Sequence, residues 1–424
     1  MSQVNKTGTA RPDGIGEGTV PSSATRLRIA LTVFFALDGF LFAGWVVRIP
    51  AIKHQTGAGP STLGLALLGV SAGAVITMTL TGRLCRRYGS HAVTVACAVL
   101  LSLSIALPAH AGSALTLGLV LLLFGAAYGG MNVAMNSAAV DVVSALRRPV
   151  MPSFHAAFSF GGMTGAALGG LVAGSLSPAT HFSALTGAGL LVTATAGPTL
   201  LRGGRPASER AGEGPADPVP DARGRRGAGP SGRPGRMSAD ARRIVILFGV
   251  IALCTAYGEG ALAEWGALHL SQDLGAPPGL AASGYSLFAL AMAVGRLSGT
   301  TLLERFGQTR TLVVGGAVAA GGMLVGALAP ALWLALTGFA VAGLGLANIF
   351  PVAVGRAGAL AGPSGVAAAS TLGYGGLLMG PPVIGFLADW ISLPVALVTL
   401  ALLASTAAAL GGAARRAAPA GPAS

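Results

Sequence analysis

Apolar runs of about 20 residues recur along the whole of this chain, and each is long enough to cross a bilayer as a helix. Inside hydrocarbon every backbone N–H and C=O must find a partner within the protein, so only helices and closed β-barrels can span it. A barrel would show segments of about 10 residues with alternating polarity, and that alternation is not the pattern here. Only 10% of the residues are charged and the mean hydropathy is +0.71, against about 25% charged in a soluble domain. The expectation is an all-α membrane protein.

Twelve spans can be drawn, with ends good to a few residues. The first six cover 27–47, 61–82, 91–109, 113–137, 154–176 and 181–201; the second six cover 244–267, 279–302, 311–329, 332–354, 366–388 and 392–412. Between the blocks lies Arg202 to Arg243, with ten arginines, five carboxylates and six prolines among many glycines. Such a segment has almost nothing apolar to bury, so it reads as a disordered, solvated linker. The domain plan is therefore a tail (1–26), a six-helix bundle (27–201), the linker (202–243), a second six-helix bundle (244–412) and a tail (413–424). The polar N-terminus lacks the charged, apolar and cleavage regions of a signal peptide, so the first run is expected to stay as a span.

In a soluble protein, the net charge of +13 would suggest nucleic acid. Here it follows from the excess of Lys and Arg in cytoplasmic loops. With the N-terminus inside, nearly all basic residues fall on one side, and only Arg48 and Lys53 fall outside. Both termini and the linker are then cytoplasmic, in a plasma membrane. The bilayer and a small-molecule substrate are the expected partners, with no nucleic acid, and the chain is expected to act as a monomer.

The two blocks repeat each other. Gly82-Arg83-Leu84-Cys85-Arg86-Arg87-Tyr88-Gly89 closes span 2, and Thr300-Thr301-Leu302-Leu303-Glu304-Arg305-Phe306-Gly307 closes span 8, 218 residues later. Gly129 to Asn132 lines up with Gly345 to Asn348, and Phe160-Gly161-Gly162 with Tyr374-Gly375-Gly376. Six plus six spans in the same orientation is the parallel-repeat plan of secondary transporters.

On these residues the chain resembles a twelve-span member of the major facilitator superfamily (MFS) over residues 27–412. The loop after span 2 is similar to the family signature G-x-L-x-D-R-x-G at Gly82, Leu84, Arg87 and Gly89. It departs at the acidic position, which is Arg86; the second copy keeps an acid, Glu304, but has Thr300 for the first glycine. The resemblance implies a gating or structural loop at Gly82, Arg83, Arg87 and Gly89 and at Glu304, Arg305 and Gly307. Within the superfamily, Asp38 to Trp45 and Ser153 to Ser159 resemble bacterial carriers of unassigned substrate, distantly similar to sugar-type permeases. Span 5, with Gly161, Gly165, Ala166, Gly169 and Gly170, resembles the antiporter signature with alanine in place of proline.

A carrier needs hydrogen-bonding groups in a central cavity, and an ion-coupled one needs a group that can be charged or neutral in mid-membrane. A carboxylate suits this, because low dielectric favours its neutral form. Asp38, flanked by Phe34, Phe35, Phe40 and Phe42 in span 1, is either a proton or substrate site or a structural partner for a polar neighbour. Glu259 sits mid-span in span 7, whereas Glu264 lies nearer the outer end and could pair with Arg48. Asn132 and Asn136 share a face of span 4, and Asn348 repeats Asn132; they could bind a hydroxyl-rich or zwitterionic ligand, or bond neighbouring helices for about 0.6–2 kcal/mol. His155 could relay protons or cap its helix. Trp45, Trp265, Tyr285 and Tyr374 could stack on a ligand or anchor an interface, with Tyr128 weaker still. Arg296 is expected to pair internally or to reach a span end.

Small residues repeat every four in span 5, as Gly161, Gly165 and Gly169 beside Gly162, Ala166, Gly170 and Gly174. With Gly295 and Gly299 in span 8 and Gly376, Gly380 and Gly385 in span 11, they read as sliding surface between the halves. No Walker, zinc or hydrolase motif is present, so neither an ATP-driven pump nor a metal site is expected, and no cofactor beyond a coupling proton or sodium. The leading expectation is a secondary active transporter of a small organic solute. The alternatives are an exporter of amphipathic or drug-like compounds, a transport-inactive receptor or regulatory protein, and a polytopic membrane enzyme; the duplicated halves argue against the enzyme.

Overall fold

The computed structural model describes residues 22–146, 150–203 and 239–417. Most of the linker and both distal tails, and with them the expectation of disorder there, lie outside the described residues. All regular elements within the described residues are helical. Twelve helices are long and apolar enough to cross a membrane. Spans 1–6 are Ala24–Val46, Pro60–Met78, Ser90–His110, Ala114–Val143, Ser153–Ala173 and Pro178–Gly203. Spans 7–12 are Ala241–Gln272, Pro278–Leu297, Thr301–Leu328, Leu332–Ala361, Ala368–Trp390 and Leu393–Ala414.

Each half packs mainly within itself, span 1 on span 5 and span 2 on span 4, then span 7 on span 11 and span 9 on span 12. The halves meet where span 5 lies on span 8 and span 2 on span 11. The end bearing Gly57 and Gly275 is called distal here, and the end bearing Gly89, Gly203 and Gly307 proximal. At the distal end Lys53 Nζ donates to Gln272 Oε1 at 2.9 Å, and the Ser61 amide donates to Asp389 Oδ2 at 2.9 Å. Gly64 faces Pro381, Pro382 and Gly385, and Gly170 faces Gly279 and Ala282.

The internal repeat extends to backbone dihedrals. The positive-φ glycines are Gly57 (φ 64°), Gly275 (φ 64°), Gly89 (φ 83°) and Gly307 (φ 74°), two pairs each 218 residues apart. An L side chain would be strained at any of them. The loop after span 2 and its copy after span 8 thus turn in the same way, whatever the difference at Arg86 and Glu304.

Three local features depart from the sequence reading. A short helix, Ile49–Thr56, follows span 1 and buries Ile49 and Ile52. The turn expected at 303–310 is a helix that starts at Gly299 and breaks at Gly307. Helical residues also continue from Ile349 to Trp390, so the expected turn between spans 10 and 11 is made without leaving helical conformation. Gly365 nonetheless lies against the Ala357 carbonyl. A straight helix would hold residues that far apart in sequence about 12 Å apart, so the chain doubles back there.

The glycine stripes need a correction. A Cβ on Gly161 or Gly165 would meet Ala36 or Phe40 of span 1, and one on Gly169 would meet Val47 and His181. Gly295 faces Leu344 and Ala347, Gly299 faces Asn348, Gly376 faces Leu253, and Gly380 faces Tyr257 and Ala261. All seven pack inside their own half. The joint uses the neighbouring stripe, Gly162 on Tyr285 and Gly170 on Gly279, together with Gly64 and Gly385. Adjacent helical residues point about 100° apart, so one stripe can be internal and the next can face the other half.

Candidate functional site

The polar centre is built where spans 5, 7 and 8 converge. Arg296 Nη2 donates to Glu259 at 3.1 Å (Oε1) and 3.4 Å (Oε2). Its Nη1 donates to Ser159 Oγ at 3.2 Å, in the other half of the molecule. Ser159 Oγ in turn donates to the His155 carbonyl at 3.2 Å, the turn below it on span 5. Its hydroxyl therefore gives one bond and receives one, and a single guanidinium ties span 7 to span 5 across the joint. The pair is not sealed: the Arg296 side chain is 22% exposed and that of Glu259 36%.

Aromatic rings stand around this pair. Tyr285 is within electrostatic reach of both Glu259 and Arg296, and Tyr128 of Glu259, Tyr285 and Tyr374. Phe42 stacks on Tyr128 with ring centroids 5.0 Å apart. His155 is exposed, meets Phe35 edge-on at 5.6 Å, and lies within electrostatic reach of Arg296. Asn132 and Asn136 continue the Tyr128 face of span 4, one and two turns on. Asn136 Nδ2 donates to the Asn132 carbonyl at 2.8 Å and is 3.3 Å from Asn132 Oδ1.

Asp38 lies behind this layer. It is 0% exposed, both carboxyl oxygens lack a hydrogen-bond partner among the described residues, and Tyr128 and Cys97 are within its electrostatic reach. Tyr128 is thus within electrostatic reach of both Asp38 and Glu259.

Several residues expected to bind ligand lie elsewhere. Trp45 packs between Phe124 and Phe182 in the first half, and Trp265 is fully buried in the second, so neither reaches the centre. Asn348 Nδ2 donates to the Gly295 carbonyl at 2.7 Å, which is interhelical bonding. Glu264 is buried with Oε2 unpartnered, and Arg48 does not pair with it. Arg48 Nε donates to His181 Nδ1 at 2.9 Å, with the Ala173 and Val172 carbonyls at 3.1 and 3.3 Å. This ties the end of span 1 to spans 5 and 6, and burial lowers the Arg48 pKa. The signature loop borders a proximal cavity of about 690 Å³, lined by Gly82, Arg86, Gly89, His91 and Asp141 and separate from the centre.

Arg296 pairs internally as expected, but sequence reasoning did not bring it together with Glu259, Ser159 and Tyr285. The signal for Arg296 was present, because an ionisable residue inside a span is a functional candidate by default. Ser159 has no such signal, since a serine in a helix commonly bonds its own backbone.

Comparison with known proteins gives a consistent assignment. A sequence model of the Major Facilitator Superfamily matches residues 29–258. An uncharacterized MFS-type transporter of Yersinia pestis is 32% identical over 388 residues, 90% of this chain and 94% of that protein. The uncharacterized transporter y4wD of Sinorhizobium fredii is 34% identical over 89% of this chain and 95% of its own length. Membrane protein MosC of Rhizobium meliloti is 29% identical over 90% of this chain and 88% of that protein. Among solved structures, a bacterial homolog of the human lysosomal transporter Spinster superposes with TM-score 0.72 at 15% identity, covering 94% of this chain and 98% of that one. The nucleoside transporter NupG gives TM-score 0.67 at 13% identity, covering 92% and 98%. These structures share the fold, and with the aligned relatives and the twelve spans they define a multi-pass membrane protein that belongs to the major facilitator superfamily.

Proposed function

We propose that this chain is a secondary active transporter that moves a small organic solute by alternating access, coupled to protons. The observation that carries the reading is the Glu259–Arg296–Ser159 chain, a partly exposed ion pair that also ties the two halves. A group placed there senses both the ligand and the relation of the halves. Asp38, without a partner among the described residues and within electrostatic reach of Tyr128, is the group we assign to the coupling proton. An isolated charge in that position costs several kcal/mol, and a bound proton removes it. Tyr374, His155, Asn132 and Asn136 are assigned to the wall of the solute path.

The Arg-rich proximal end is assigned to the cytoplasm by the charge asymmetry of the loops. The distal contacts Lys53–Gln272 and Ser61–Asp389 then close the outer side. Reporter fusions at Ser90, at Gly203 and after Ser424 should report cytoplasm, and fusions near Gly57 and Gly275 the outside. A reversed result at either set would overturn the orientation. For transport, purified protein is screened against a metabolite panel by thermal shift. Each stabilising compound is then tested for uptake into proteoliposomes with and without an inward proton gradient. Uptake that the gradient does not alter would remove the coupling, and binding with no uptake would remove the transporter reading.

A further inference from the structure

The chemistry of the centre favours one kind of ligand. The Glu259 carboxylate can accept about four hydrogen bonds, yet both its oxygens share a single donor nitrogen of Arg296. The remaining sites are open, because the side chain is 36% exposed. A second acid, Asp38, is within electrostatic reach of Tyr128 and has no cation of its own among the described residues. Tyr128 and Tyr285 are within electrostatic reach of Glu259, with Phe42 stacked on the first. Aromatic faces attract cations and repel carboxylates. Open acceptor sites, a second acid and several aromatic rings together suit a protonated amine. Arg296, the cation already present, holds the place.

We propose that the central site takes a small solute bearing a protonated amine, whose ammonium replaces Arg296 on Glu259. The proposal rests on the transporter reading for its role, but the recognition chemistry stands on the site alone. Displacement has a consequence built into the geometry. Arg296 holds Glu259 with one terminal nitrogen and Ser159 of the other half with the other. A guanidinium released from Glu259 has lost the anion that fixes its position, so loading loosens the tie across the joint. Binding and movement are then linked through one side chain.

The test uses the purified full-length protein and two matched sets of probes. One set is cyclohexylamine, cyclohexanol and cyclohexanecarboxylate; the other is glucosamine, glucose and glucuronate. Affinity is read by thermal shift, which rises with ligand concentration over Kd. The amine should be the preferred member of at least one set, by about tenfold, the scale of one charge-assisted contact. Glu259→Gln should erase that preference, while Glu259→Asp, which keeps the charge, should retain it. Arg296→Met removes the competing cation and should tighten amine binding. Preference for the carboxylate member, loss of all binding in Arg296→Met, or no preference in either set would overturn the proposal. Uptake of the preferred probe into proteoliposomes separates the two readings. Transport of a carboxylate probe would sink the amine class and leave the transporter standing; amine binding with no transport would do the reverse.

Discussion

Asp38 of span 1 and Glu259 of span 7 both lie within electrostatic reach of Tyr128, but among the described residues only Glu259 has a cation beside it. Its cation, Arg296, comes from span 8 at 3.1 Å, whereas both oxygens of Asp38 lack a partner. The two acids, one in each half, thus sit in different settings, one in a partly exposed ion pair and the other fully buried. That difference asks for a reason. The division of labour argued above, solute at Glu259 and proton at Asp38, gives one.

The ion pair should matter for transport and little for stability. It is partly exposed, and exposed pairs contribute about 0–1 kcal/mol. Arg296→Met and Glu259→Gln should each leave the melting temperature within a few degrees of wild type, as a change of that size implies, while uptake falls at least tenfold. Ser159→Ala removes only the tie to the other half and should alter the rate of exchange more than solute affinity. Equal transport by Ser159→Ala and wild type would show that the tie has no mechanical role.

The glycine assignments make a contrast that can be measured. Gly161 faces the Ala36 backbone inside the first half, so Gly161→Leu overpacks a bundle interior. Overpacking typically costs about 1–3 kcal/mol, occasionally more, and the expected readout is poor yield and a lowered melting temperature. Gly170 faces Ala282 and Gly279 across the joint. Gly170→Leu should insert and fold normally but hold the distal end apart and stop transport. If Gly170→Leu lost stability as Gly161→Leu does, the division into internal and joint stripes would fail.

The distal end should open when Lys53 is neutralised. Lys53 bonds Gln272 and lies within electrostatic reach of Asp389 and Asp273; burial lowers its pKa, and those two acids raise it back in part. All three partners belong to the other half. Lys53→Gln removes a charge that holds the halves together through these acids. Ala282, 1% exposed and packed at the joint near Ala166, supplies the reporter. In a background with Cys85, Cys97 and Cys254 replaced, Ala282→Cys should react slowly with an impermeant maleimide added from outside. Adding Lys53→Gln should speed that reaction several-fold. An unchanged rate would mean that the contact is incidental to closure.

The spans were legible because hydropathy is averaged over about 20 residues, and no local detail can mask a signal that broad. The repeat was legible for a similar reason, since it recurs at a steady offset and reappears in Gly57/Gly275 and Gly89/Gly307. The short helix Ile49–Thr56 was not, because eight residues of mixed polarity give no period to detect. The partners in the centre were hidden by distance along the chain: Arg296 is 37 residues from Glu259 and 137 from Ser159. Trp45 and Trp265 misled because an aromatic near a span end reads as ligand stacking or interface anchoring, and burial in a bundle core leaves the same trace in sequence.

The sharpest prediction concerns Asp38. Span 1 does not need a carboxyl in order to insert, since apolar residues at that depth insert better. Its surroundings offer it no hydrogen bond and no cation among the described residues. A charged Asp38 would therefore be costly in this state, and a neutral one would let the halves move without carrying an unpaired charge. Asp38→Asn imitates the neutral form permanently and keeps the side-chain shape. The variant should exchange labelled solute for unlabelled solute across a proteoliposome membrane at near the wild-type rate, yet no longer accumulate solute against a gradient. Asp38→Ala should impair both activities if the carboxyl also touches solute, and only accumulation if it does not. Counterflow and gradient-driven uptake, measured on the same vesicle preparation, separate these outcomes. Proton-driven accumulation by Asp38→Asn at the wild-type level would take the coupling role away from Asp38 and pass it to Glu259.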